Sequence, residues 1–309
     1  MVRSGNWRVW LGAAVAAGAI TVTGCTDKKG QSEATSKENA APVTSVPNGD
    51  ATTASIDPPS PGVYGDARMN LPFDQACITE INADAGFSLP PVRTKAGLST
   101  GNLNDAVHKL WDQIKFVSPE GKPQTYILEL EVVSGDQALG NIEILMQPEL
   151  APNHVRNFVA LAMLEYFDSL HFDRIVKQAY QTDMGSGKLV LLEAGMPSAE
   201  IDPSSSHLGY WLKPEFSSQV KHEEGTVGAC LLESEHNEET AAVRFYINLT
   251  PAPAMDGNFT VFGKVVKGLD VAKKIAELPV RAADAGPDQG RPVQPITIKK
   301  VTVRAVPVQ

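Results

Sequence analysis

The sequence predicts a mainly β domain from Gln124 onward, and three stretches carry that prediction. Tyr126 to Val133 and Gly140 to Met146 alternate apolar with polar side chains on either side of the turn-rich SGDQALG, the pattern of two half-buried strands. Val243 to Leu249 is rich in β-branched and aromatic residues, and Met255-Asp256-Gly257-Asn258 follows as a turn whose glycine tolerates positive φ. Phe259 to Val265 alternates again, and Pro295 to Ala305 closes with alternating Ile296, Ile298, Val301 and Val303.

Two helices punctuate these strands. Pro152 suits a first helical turn, where its missing N–H costs nothing, and Val155, Phe158, Val159, Ala162 and Met163 form the buried stripe behind it. After Gly268, Leu269, Ala272, Ile275 and Ala276 recur at helical spacing. Pro279 to Gln294 reads as a loop rich in Gly, Pro and Asp.

The remainder divides into three segments. Residues 65–123 form an N-terminal extension in which Leu103, Val107, Leu110, Trp111 and Ile114 trace one face of a helix at about 102–115, with Asn102 as its N-cap. That stripe needs a partner, either the β domain or a second protein of the cell envelope. Thr26 to Tyr64 is dense in Ser, Thr, Lys, Glu, Pro and Gly, too poor in large apolar residues to repay ordering, and reads as a tether. At the N-terminus, Arg3 and Arg8 precede an apolar run from Val9 to Val22 that is short for a membrane span. Val22-Thr23-Gly24-Cys25 resembles a bacterial lipobox. The resemblance implies a signal peptide over 1–24, cleavage before Cys25, acylation of that residue, and a chain anchored to a membrane and facing the extracytoplasmic side.

Composition narrows the function classes. The chain has 309 residues, 42% of them hydrophobic, enough for one sizeable core with additions. A net charge of -9, with no run of Lys and Arg interleaved with aromatics, argues against a nucleic-acid partner. Beyond Cys25 only Cys77 and Cys230 remain, without the CxxC spacing of redox or zinc chemistry, so both read as unpaired structural thiols. Met184-Gly185-Ser186-Gly187-Lys188 lacks the first Gly and the final Ser or Thr of a phosphate loop and reads as an insertion turn. His222-Glu223-Glu224 and Glu233-Ser234-Glu235-His236 have no helical metal-binding partner and read as acidic solvated loops, with no metal assigned.

VRFYINLTPAPAMDGNFTVFGKVVKGLDVAKKI, from Val243 to Ile275, resembles the C-terminal half of the cyclophilin fold. Asn141 to Val176, NIEILMQPELAPNHVRNFVALAMLEYFDSLHFDRIV, is similar to that family's strand, A-P-x-x-V-x-N-F-V helix, Y-Y-D turn and F-H-R-V-I strand. The resemblance implies an eight-stranded antiparallel barrel capped by two helices over 124–309, and peptidyl-prolyl cis-trans isomerisation of proline-containing polypeptides. It implies no cofactor, because rotating an imide needs no nucleophile, metal or covalent intermediate. What it needs is preferential binding of the twisted bond. A guanidinium can donate to the prolyl nitrogen, whose lone pair is freed when conjugation is lost, while an apolar pocket grips the ring.

On this resemblance Arg174, in FDRIV, takes the position of the catalytic arginine. Other positions depart from the family. KQAYQTDMGSGK, from Lys177 to Lys188, interrupts the pattern; reading EAGMP as the counterpart of Q-G-G-D-P puts Glu193 where the family has glutamine, while a rival register puts Tyr180 and Gln181 there. Arg244 replaces a substrate-binding glutamine. Tyr246 keeps an aromatic pocket wall, Met255 stands for leucine, Phe259 for histidine or tyrosine, and Ala254 for tryptophan. Ala229 and Cys230 replace Met-Ala, and Leu231 a polar residue. The apolar pocket survives and the hydrogen-bonding residues other than Arg174 do not. The alternative to an isomerase is therefore a catalytically weak or inactive barrel that binds peptides or envelope proteins, with the Leu103 to Ile114 helix and the Lys177 to Lys188 insertion as its contact surface.

Overall fold

Alternating strands from Gln124 onward can bury one face each by closing on themselves, and they do so as an antiparallel barrel. The computed structural model describes residues 67–81, 88–182, 185–198, 203–232, 238–281 and 289–308. Cys25, the apolar run before it and the Ser- and Thr-rich segment to Tyr64 lie outside these residues, as does the acidic run from Glu233 to His236. The strands of the barrel are β2 (Gln124–Ser134), β3 (Gln137–Met146), β4 (Phe172–Thr182), β5 (Gly185–Ala194), β7 (Thr226–Ala229), β8 (Phe245–Asn248), β9 (Val261–Lys267) and β11 (Ile296–Pro307). They hydrogen-bond in the order β4-β5-β8-β7-β9-β3-β2-β11. Closure comes where Ile298 donates its N–H to Leu170 and Ser169 donates to Ile298, beside the His171 and Thr297 bridge.

Three short strands extend this plan. β10 (Gln289–Gly290), inside the stretch read from sequence as a loop, pairs with Val176 and Ile175 of β4. β1 (Cys77–Ile78) pairs with β6 (Trp211–Leu212) and ties the extension to a loop of the barrel. The Lys177 to Lys188 insertion lengthens the β4–β5 hairpin: Lys177 pairs with Val190 and Thr182 with Gly185. At the Met255–Asn258 turn, Gly257 has a φ of 76°, where a side chain would be strained.

Side chains fill the barrel. Phe158 and Phe262 stack with centroids 4.2 Å apart, and the space left among Leu128, Leu130, Met146, Phe245 and their neighbours is about 10 Å³. That is barely one water, so the interior holds no ligand and chemistry must lie outside it.

Helices α3 (Pro152–Met163) and α4 (Leu269–Glu277) pack on the barrel, with Pro152 in the first turn of α3. The extension contains a four-residue α1 (Phe73–Ala76) as well as α2 (Thr100–Trp111), where sequence predicts one helix at about 102–115. The cap of α2 is Ser99, not Asn102: the Ser99 hydroxyl accepts the Asn102 N–H, which places Asn102 already inside the first turn. Ile114 is buried just beyond the helix end.

The amphipathic stripe expected for α3 is too narrow. Pro152 through Ala162 are all buried, including Asn153, His154, Arg156 and Asn157, whereas Met163 is 51% exposed. The reason is tertiary. The barrel covers one face of α3 and the extension covers the other, leaving only the C-terminal end to solvent. Arg156 donates to the carbonyls of Met69 and Ile114, and its guanidinium lies 5.8 Å from the Trp111 ring and 5.0 Å from that of Phe116. The apolar face of α2 is thereby taken up within the chain.

Candidate functional site

Strict alternation along β4 would point Arg174 into the barrel, because Phe172 faces inward. A β-bulge between Phe172 and Arg174 makes Asp173 the extra residue and reverses the parity. Ile175 then joins Leu192, Phe245, Val227 and Ala229 in the interior, while Arg174 and Val176 share the outer face. The register next aligns a row across four strands. Arg174 faces Glu193 on β5, Glu193 faces Tyr246 on β8, and Tyr246 faces Gly228 on β7. Direct cross-strand neighbours are close enough to interact, so the row brings together residues distant in sequence. Glu193 thus stands beside Arg174 in space, in the register that takes EAGMP as the equivalent segment.

Below the row, Val176, Leu191, Cys230, Tyr246, Ala252 and Met255 pack into a separate apolar cluster on the outer face, flanked by half-buried Leu189 and Phe259. Phe259 meets Tyr246 edge to face with centroids 6.1 Å apart. Of the positions singled out in sequence, Tyr246, Met255, Phe259 and Cys230 therefore converge. Ala229 does not; it faces the barrel interior, since only its neighbour Cys230 has the outward parity.

The charged end of the site has three members. Arg244 Nη2 donates to Glu193 Oε2 at 2.7 Å, and Arg174 Nη1 lies 3.5 Å from Glu193 Oε1. Arg174 keeps 22% of its side chain exposed, against 10% for Arg244 and 7% for Glu193. One carboxylate thus holds two guanidiniums, the inner one tightly and the outer one loosely. A guanidinium carries five N–H donors in a planar fork, a geometry that suits bonding a carboxylate and a second acceptor together. Removing Arg244 leaves Glu193 only its looser pairing with Arg174, and removing Glu193 takes the shared carboxylate from both guanidiniums in a poorly solvated place. Urea denaturation of Glu193→Ala, Arg244→Ala and the double variant is expected to show a coupling of about 1–3 kcal/mol; strictly additive losses would contradict the pairing.

Asp173, the bulge residue, accepts the Met196 N–H at 2.8 Å. Burial raises its carboxyl to about 7, against the lowering effects of that bond and of Arg244. Because the folded chain holds this proton more tightly than the unfolded one, Asp173 favours folding most at low pH. The contribution fades as pH rises from the ordinary carboxylate range through about 7. Asp173→Asn is accordingly expected to gain stability over the wild type at about pH 8 relative to about pH 5 in urea titrations; an unchanged difference would exclude Asp173 as the titrating group.

Sequence reasoning misses three residues here. His222, read as part of an acidic solvated loop, is buried, with Nδ1 3.0 Å from Asp256 Oδ1 and Nε2 2.8 Å from the Tyr246 hydroxyl. Asp256 reads in sequence only as a turn residue, and Gly228 only as part of a strand. No spacing signals them, because all three come together through strand pairing and a turn. Among the described residues no group of three or more His, Cys, Asp or Glu converges as metal ligands. Cys77 and Cys230 are both free and buried, and burial pushes both thiols up.

Comparison with known proteins places this geometry in a family. A model of the cyclophilin type peptidyl-prolyl cis-trans isomerase family matches residues 129–303. A peptidyl-prolyl cis-trans isomerase of Arabidopsis thaliana is 26% identical over 185 residues, covering 60% of this chain and 96% of the relative. The isomerase ppi1 of Schizosaccharomyces pombe is 29% identical over 163 residues, 53% of this chain and 92% of its own. The crystal structure of a cyclophilin type isomerase of Cryptosporidium parvum covers 59% of this chain and 99% of its own, with 16% identity and a TM-score of 0.45. With more than half its length matched by the family model, the chain belongs to the cyclophilin-type peptidyl-prolyl cis-trans isomerase family.

Proposed function

We propose that this chain is an exported, lipid-tethered peptidyl-prolyl cis-trans isomerase that acts on extended polypeptides at the cell envelope, with Arg174 as its catalytic residue. Prolyl isomerisation is the activity of its family. The observation that carries the site assignment is the juxtaposition of the partly exposed Arg174 with the apolar cluster of Leu191, Tyr246, Met255 and Phe259 on the outside of a filled barrel.

The reaction follows from that geometry. Uncatalysed prolyl isomerisation takes tens to hundreds of seconds because conjugation must be broken. Apolar side chains hold the pyrrolidine ring, and the Arg174 guanidinium donates to the prolyl nitrogen as it pyramidalises. This interaction is strongest in the twisted state and lowers the barrier. Glu193 orients Arg174 from behind, and Arg244 neutralises the carboxylate so that it draws less on the donors of Arg174. Acceleration of cis-trans exchange in an Xaa-Pro peptide by the purified chain tests the activity; exchange at the background rate would reject it.

Export and anchoring rest on the basic N-terminus, the apolar run and Cys25. Among the described residues no helix is long and apolar enough to cross a membrane. In this reading attachment falls to the acyl chains, whose number on one modified cysteine exceeds what stable anchoring needs. The wild-type chain is expected to incorporate labelled fatty acid in a bacterial host and to sediment with membranes. Cys25→Ser should do neither, and an unlabelled wild-type chain would contradict the anchor.

A further inference from the structure

Tyr246 is held in the apolar cluster by a run of polar contacts that the isomerase reading does not use. Its hydroxyl meets His222 Nε2 at 2.8 Å, and His222 Nδ1 meets Asp256 Oδ1 at 3.0 Å. Asp256 Oδ1 also accepts the His222 backbone N–H at 2.8 Å, and Lys221 Nζ lies 3.1 Å from Oδ2. The His222 carbonyl accepts from the Ala252 N–H at 2.8 Å and the Asn248 side chain at 3.1 Å, which fixes the ring from its backbone. On the other side, any Cβ at position 228 would collide with the Tyr246 hydroxyl, so glycine there leaves the slot in which the phenol end sits.

The chemistry selects one protonation pattern. A carboxylate only accepts, so Nδ1 carries the imidazole proton toward Asp256, and Nε2 is left to accept from the tyrosine hydroxyl. Burial works against charge on Asp256, but the bonds from His222 and Lys221 outweigh it and hold the carboxyl below its ordinary range. Burial also pushes the His222 imidazole below its ordinary value, partly offset by Asp256. Burial raises the Tyr246 phenol, which therefore keeps its proton.

We propose that Asp256 and His222 are positioning residues for prolyl isomerisation, which hold the Tyr246 ring as a wall of the proline pocket. The inference rests on the proposed isomerase site. A proton added at Nε2 turns an acceptor into a donor facing the tyrosine O–H, so the hydroxyl must rotate away and the ring loses its anchor. Substrate affinity then falls while the rate of the bound substrate, set by Arg174, changes little. The titratable and charged groups facing this relay are Asp256, Lys221 and Tyr246, with Cys230, Asp173, Glu193, Arg174 and Arg244 at the far end of the cluster.

The test is KM, kcat and peptide Kd for an Xaa-Pro peptide from about pH 5 to about pH 8, using the wild type, Tyr246→Phe, His222→Gln and Arg174→Ala. Wild-type KM and Kd are expected to rise about three- to tenfold at the acid end, as for loss of one buried hydrogen bond, with kcat within about twofold. Tyr246→Phe should have a raised, nearly flat KM, because it has no hydroxyl to respond. His222→Gln, whose neutral amide oxygen can accept, should keep the alkaline wild-type affinity and lose the acid rise. Any inflection from Asp173 persists in Tyr246→Phe and is thereby separated. Nitrogen chemical shifts should place the His222 proton on Nδ1 at about pH 8.

A Tyr246→Phe chain with wild-type KM and pH profile, or an Nε2–H tautomer, would overturn the relay. Failure to bind a proline peptide at all would overturn it too. Wild-type turnover no faster than Arg174→Ala, with peptide still bound, would instead reject the isomerase reading and leave the Kd series to decide the relay.

Discussion

Arg174→Ala is expected to lower kcat/KM for prolyl isomerisation by about 10²–10³, the loss that follows removal of a donor aimed at the transition state. Most of the loss should fall on kcat. The apolar cluster proposed to grip the proline ring is built from other residues, and Arg174 contributes only one flank of the proposed site. Arg174→Lys should recover little, because an ammonium presents no planar fork to both Glu193 and a prolyl nitrogen. Stability should barely change, since the side chain is partly exposed and its ion pair is the looser of the two. Equal turnover by wild type and Arg174→Ala, measured by a peptide assay across substrate concentrations, would leave the barrel as a peptide-binding scaffold.

Trp111→Ala is expected to destabilise the chain by about 3–5 kcal/mol in denaturant titrations, the range for truncating a buried tryptophan or phenylalanine. The indole is almost wholly buried at the end of α2, donates to the Leu71 carbonyl at 2.9 Å, and meets Phe73 edge to face at 5.2 Å. The Arg156 guanidinium of α3 also lies against it. Its loss therefore breaks contacts among α1, α2 and α3 at once. Limited proteolysis should cut within 67–123 sooner than in the wild type, while the barrel strands stay protected. A loss below about 1 kcal/mol, typical of exposed sites, would mean that the extension does not brace α3.

Much of this fold is legible from residue pattern. Tyr126 to Val133 and Pro295 to Ala305 form most of β2 and β11, the latter with a bulge between Ile298 and Lys300 that brings Val301 to the same side as Ile296 and Ile298, and Pro152 opens α3 as a first-turn proline should. What the pattern misses is set by neighbours distant in sequence. Arg156 is buried beneath the extension, and neither it nor Asn157 looks like a core residue until both faces of α3 are covered. Met163 completes an apolar stripe in sequence but sits where cover ends.

The site divides in the same way. Arg174, Tyr246 and Met255 could be placed together from the family resemblance, and the structure brings them to one face of the sheet. Why Arg174 points outward could not be read, because it depends on a bulge at Asp173 that appears only in the pairing with β5. His222 was hidden among acidic neighbours, and its partners Asp256 and Tyr246 reach it from a turn and a strand far along the chain.

The most direct measurement of the central claim is exchange NMR on an Xaa-Pro peptide mixed with the whole chain, recorded together with the protein's own shift changes. The account predicts cis-trans exchange far faster than the uncatalysed tens to hundreds of seconds, with perturbations centred on Arg174, Leu191, Tyr246, Met255 and Phe259. Exchange at the uncatalysed rate, or perturbations confined to the extension and away from that face, would contradict it.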